Sequence, residues 1–196
     1  MSQTHHFSRH DLWSLEDYAE KRPQFRAQVM QHKKDRHIAL GPNSTLYFED
    51  RLTVQYQIQE MLRIEKVFEA DGIEEELSAY NPMVPDGCNW KATYMIEYTD
   101  ADIRTAQLEK MIGIEDLVWV QVKGHDKVWA ISDEDLERSN DTKTSSVHFM
   151  RFELSKDMIS VLKSGEKLSM GVEHSVYTYS LELSEESRNS LVNDLD

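Results

Sequence analysis

The sequence predicts an α+β fold: a mainly antiparallel sheet built from hairpins, packed by a long central helix and preceded by an N-terminal helical arm. Three observations carry this. Residues 1–36 read as helical, the hydrophobic period changes to two at His37, and hairpins dominate over βαβ crossovers in the alternating runs beyond it. The arm therefore spans 1–36 and a single α+β domain spans 37–196. Neither part shows an internal repeat or a low-complexity tract.

In the arm, Ser14 with Asp17 three residues on offers a cap. Pro23 suits the first turn of a helix through Phe25, Val29 and Met30, so this part is a helical hairpin or arm. From His37, IALG, the turn Pro42-Asn43-Ser44 and TLYFED make a β-hairpin. A long helix follows over 53–70 and Gly72 ends it. A short acidic helix over 73–80 leads into a loop punctuated by Asn81-Pro82 and Pro85-Asp86-Gly87. Next come a strand over 91–98, a helix over 101–112, and a hairpin of 117–122 with 127–131 about Gly124-His125-Asp126. The polar run 133–146 reads as a mobile loop. The chain closes with a strand over 147–154, a helix over 156–163 ended by Gly165, a hairpin of 168–172 with 177–183, and a helix over 185–195.

The helix over 53–70 carries the main chemical signal. Advancing about 100° per residue from Val54 groups Ile58, Met61, Leu62 and Phe68 on one stripe, and Glu65 and Glu69 fall among them. A charge on a buried stripe needs a partner. Arg51 and Arg151 are the candidate buried ion-pair partners. The alternative partner is His148, which in VHFMRFEL shares a face with Met150, Phe152 and Leu154 and so points inward. Glu65, Glu69 and His148 would then offer a site for a transition metal (iron, manganese or zinc) or a proton-transfer pair. For His148 alone, a satisfied core histidine is the plainer reading. No Glu-x-x-His pair of the di-iron kind is present.

A second candidate is the loop Tyr80 to Cys88, stiffened by its prolines. Tyr80, Asn81 and Asp86 either form a fixed ligand-binding array or belong to a simple turn. Cys88 lacks a flanking base and reads as a packed thiol as readily as a reactive one. His5, His6 and His10 have a chelating spacing near the terminus, where adventitious binding is the expected outcome. A glycine-rich phosphate loop, a Gly-x-Ser-x-Gly elbow and a His-Glu-x-x-His pair are all missing, which leaves nucleotide, hydrolase and zincin readings without support.

Composition narrows the classes further. A chain of 196 residues, 39% hydrophobic and 30% charged, fits one soluble domain with an appended arm. No apolar run approaches the roughly 18 residues of a bilayer span, and residues 1–11 hold no signal-peptide stretch, so the expected location is cytoplasmic. The single Cys88 excludes an intrachain disulfide and alone holds neither an iron–sulfur cluster nor a structural zinc. The net charge of −14 argues against nucleic acid or an anionic membrane as partner. That charge is uneven, with seven Lys/Arg against five Asp/Glu in residues 1–36. The arm is basic and lies on its own acidic body, or it docks to an acidic protein.

The run HIALGPNSTLYFEDRLTVQYQIQEMLRIEKVFEADGIEEELSAYNPMVPDG, continued by KATYMIEY and TSSVHFMRFEL, resembles a bacterial family catalogued as domain of unknown function 3501. The likeness runs from about Leu12 to Leu195. The resemblance implies a context: genes of this family are often found beside those for rubrerythrin and for a cysteine-rich iron–sulfur oxidoreductase. It thus implies an accessory or partner protein of a peroxide-protective, rubrerythrin-type redox system. It supplies no catalytic residues, and Cys88 is not part of the family pattern.

Overall fold

A computed structural model describes residues 6–196; of the three N-terminal histidines, His5 lies outside the described residues. The α+β expectation holds, with six α-helices and two antiparallel sheets among the described residues. The chain forms two compact units, one of residues 1–34 and 49–86 and the other of 35–48 and 87–196. The first unit thus takes in the long helix and the acidic helix as well as the arm.

The first unit holds α1 (Leu15–His32), α2 (Arg51–Glu65) and α3 (Ala70–Tyr80). Ser14 caps α1 by accepting the Asp17 N–H at 3.1 Å. Pro23 lies inside α1, which is one helix and not a hairpin. The proline costs a backbone bond there. On the far side of that turn, Tyr18, Phe25 and Val29 are buried with Trp13, Leu52 and Tyr56. Trp13 meets Phe25 edge-on, ring centres 4.9 Å apart.

Asp50 caps α2 and accepts the Thr53 N–H at 2.9 Å. Two faces of α2 are buried: Leu52 and Tyr56 pack with residues of α1, while Val54, Ile58 and Leu62 pack with Phe7, Val84 and Leu77 of α3. The carboxylate that meets guanidinium groups on α2 is Glu60. It accepts from the Tyr18 hydroxyl at 2.7 Å, from Arg22 through two bonds of 2.7 and 2.9 Å, and from Arg63 at 3.3 Å. Chiefly through the Arg22 bonds, the Glu60 carboxyl is held down from 4.5 to about 2. A depressed carboxyl stabilises the fold above its unfolded value and stops doing so as pH falls towards the folded one. Glu60→Gln is therefore expected to lower the urea midpoint at pH 7, and its midpoint should approach that of the wild type between pH 4.5 and about 2. A constant gap across that range would show that Glu60 contributes packing alone.

The second unit holds β1 (His37–Ala39), β2 (Ser44–Glu49), β3 (Asn89–Ile96), α4 (Ala101–Lys110), β4 (Val118–Val122), β5 (Val128–Trp129) and β6 (Ile131–Ser132). It continues with β7 (Val147–Glu153), α5 (Lys156–Lys163), β8 (Leu168–His174), β9 (Tyr177–Glu182) and α6 (Glu185–Val192). Where one sheet was expected there are two, in the orders β1-β2-β3-β7-β6 and β5-β4-β8-β9. The chain changes sheet at Ala130, whose N–H bonds the Val118 carbonyl at 2.8 Å. Both sheets share one core, in which Phe48, Trp90 and Phe152 meet Val120, Met170 and Val172. The sheet-packing role expected of the long helix is taken in this unit by Leu108 of α4, Ile159 and Leu162 of α5 and Leu191 of α6. Arg36 is fully buried beneath α6 and pairs with Asp194 through bonds of 2.6 and 3.2 Å. It also donates to the carbonyls of Phe48 and Ser190, each at 3.2 Å. Among the described residues no helix is long and apolar enough to cross a membrane.

Candidate functional site

β7 alternates as its sequence predicts, with His148, Met150 and Phe152 on the buried face. His148 is fully buried and its partners all come from the second unit. Its Nδ1 lies 2.6 Å from Asp133 Oδ2, and its Nε2 lies 3.0 Å from both the Ser145 carbonyl and Thr144 Oγ. The single Thr144 proton goes to Glu115 Oε2 at 3.0 Å, and Ser139 donates to the other oxygen of Glu115. Nδ1 thus faces a carboxylate, and Nε2 a carbonyl and a hydroxyl. With Arg138 bonded to Asp133 at 3.2 Å, a guanidinium, an imidazole and two carboxylates close the cluster.

Hydroxyl, imidazole and carboxylate stand here in the order of a nucleophilic triad. The hydrogen bonding differs from one, because Nε2 also faces the Ser145 carbonyl and the Thr144 hydroxyl also meets Glu115. Thr144 is itself 1% exposed, which closes its hydroxyl off from a substrate. The cluster is a clasp that ties the segment after β6 to β7. Residues 133–146, read as a mobile loop, are irregular but held: Asp133 takes a left-handed conformation (φ 51°), accepts the Phe149 N–H at 3.0 Å and donates its own N–H to Phe149. Arg138 lies over the Phe149 ring at 4.5 Å.

Glu65 and Glu69 are exposed, which corrects the buried stripe. The helix stops at Glu65 because Lys66 adopts the left-handed conformation (φ 55°) and its N–H returns to the Leu62 carbonyl. Glu69 then becomes the N-cap residue of α3, and Gly72 lies within α3, where a Cβ would come within 2.7 Å of a Val67 methyl. No sequence signal marks this stop. A lysine in that conformation is disfavoured, so Lys66→Gly is expected to stabilise the chain by about 1 kcal/mol, read as a raised urea midpoint. A lowered midpoint would mean that the Lys66 side chain holds the bend.

The expected ion-pair partners are engaged elsewhere. Arg51 pairs with Asp11 at 2.9 Å and lies over the Phe7 ring at 4.0 Å, and Arg151 pairs with Glu134 and Glu153. Glu65 and Glu69 belong to the first unit and His148 to the second, so the three are not one site of either unit. No group of three metal-ligating side chains occurs among the described residues. In the loop read as a ligand array, Asn81 uses its amide to tie down Phe7, accepting from its N–H at 2.6 Å and donating to its carbonyl at 2.9 Å. Tyr80 is half-buried, its phenol pushed up by burial, while Asp86 and Cys88 are exposed.

The open feature of the first unit is a groove of about 560 Å³, lined by Leu12, Leu15, Leu62, Val67, Phe68 and Ile73, with Arg9 and His10 also in its wall. Phe68 is 72% exposed and Ile64 60%. The sequence places both residues on a continuous helix. The bend at Lys66 is what turns Phe68 out.

The family model described as protein of unknown function, DUF3501, matches residues 6–195. A crystal structure at 1.90 Å, described as a novel protein of unknown function from Burkholderia pseudomallei K96243, is similar over 100% of both chains, with 47% identity and a TM-score of 0.92. No curated protein matches the chain.

Proposed function

We propose, since the chain belongs to the DUF3501 family of proteins of unknown function, that it is an accessory protein that docks to an iron or iron–sulfur redox partner. The observation that carries this reading is the groove of the first unit with Phe68 standing 72% exposed at its wall. An exposed large apolar side chain beside an apolar cleft is the ordinary form of a binding anchor. The gene context that the family resemblance implies supports the choice of partner: rubrerythrin or the cysteine-rich iron–sulfur oxidoreductase. The sealed His148 clasp serves the second unit as a structural device.

The experiment mixes the purified chain with each of the two candidate partners from the same organism and measures association by calorimetry and gel filtration. A defined complex with either is the expected result, together with a change in that partner's peroxide-dependent turnover. Absence of association with both would overturn the reading.

A further inference from the structure

We propose that the face formed by the end of α2, the bend at Lys66 and α3 receives an amphipathic protein segment that presents a large apolar side chain between lysines or arginines. This rests on the docking reading above and adds the chemistry of the partner. The apolar half of the argument is the exposed pair Ile64 and Phe68, with Val67 and Ile73 continuing into the groove.

The second half is charge. Residues 63–77 hold six Asp/Glu and two bases, Arg63 and Lys66, of which Arg63 is bonded to Glu60. Glu65, Glu69, Asp71, Glu74 and Glu75 are all exposed, and none of them forms an ion pair among the described residues. On α3, Leu77 is buried with Ile73 and Tyr80 packed beside it, which leaves Glu74 and Glu75 on the outer side. Their repulsion is uncompensated: the Glu76 carboxyl is pushed up by its partial burial and by the charges of Glu65 and Glu75. A basic segment laid along this face supplies the missing cations and covers Phe68 in one step.

The test uses the full chain and a fluorescein-labelled 16-residue peptide of lysine and leucine with one tryptophan, patterned to place its apolar residues on one helical face. The control probe has the same composition in an order without an apolar face. Saturable one-to-one binding of the patterned peptide is expected, with the control about tenfold weaker or more. Ile64→Ser with Phe68→Ser, and separately Glu74→Lys with Glu75→Lys, should each weaken binding about tenfold. Ile103→Ser, at an exposed isoleucine of α4, should leave it unchanged. Circular dichroism confirms that these surface variants stay folded.

Equal binding of the two peptides, or indifference to the Ile64 and Phe68 changes, would overturn the proposal. So would concentration-dependent self-association abolished by Phe68→Ser, since the occupant is then a second copy of the chain. The two readings fail separately. A redox partner that binds wild type and Phe68→Ser alike removes this face and keeps the accessory function; peptide recognition without association to either redox protein does the reverse.

Discussion

Asp194→Ala is expected to destabilise the second unit by about 3–5 kcal/mol, because it takes a two-point carboxylate away from a fully buried guanidinium. The Arg36 side chain is 0% exposed and that of Asp194 6%, and the pair is joined by two parallel bonds. The carbonyls of Phe48 and Ser190 still accept from Arg36 after the substitution, but they carry no formal charge with which to replace the carboxylate. Against a total stability of roughly 5–15 kcal/mol this is a large fraction, and urea unfolding reads it directly. The double variant Arg36→Met with Asp194→Leu should recover most of the loss, since replacing both members of a buried pair by apolar groups is often neutral. A single variant within about 1 kcal/mol of wild type would mean that water reaches Arg36.

His148→Leu is the second large effect. It leaves Asp133 and Glu115 facing a buried hydrocarbon, their side chains 11% and 10% exposed, and a loss of about 3–5 kcal/mol is expected. Amide hydrogen exchange should accelerate across residues 133–146, which depend on the clasp, more than in β8. Adding Asp133→Asn and Glu115→Gln to His148→Leu removes the stranded charges and should restore part of the stability. Failure to restore any would assign the loss to lost packing volume.

These two sites show where sequence reading succeeds and where it stops. The inward face of His148 follows from strict alternation in β7, and the hairpin at Pro42-Asn43-Ser44 follows from turn chemistry. The partners of His148 do not follow, because Asp133 lies 15 residues away and Glu115 is bonded to Thr144, 29 residues further on. Arg36 reads as the last residue of an arm, and its partner lies 158 residues further along.

The long helix fails for a different reason. Periodicity assumes one buried face, whereas α2 packs against residues of both α1 and α3, so the ion-paired carboxylate is Glu60 on the flank. Lys66 in the left-handed conformation then ends the helix without a glycine to announce it. That one backbone reversal takes Glu69 and Phe68 off the predicted helix and onto exposed surface, next to Glu65 at the exposed end of α2, and it creates the face on which the functional account depends.

The measurement that tests the account most directly is hydrogen exchange of the chain with and without each candidate redox partner. The account predicts protection on adding one of them, centred on residues 62–77 and abolished by Phe68→Ser. Protection confined to the second unit, or none with either partner, would contradict it.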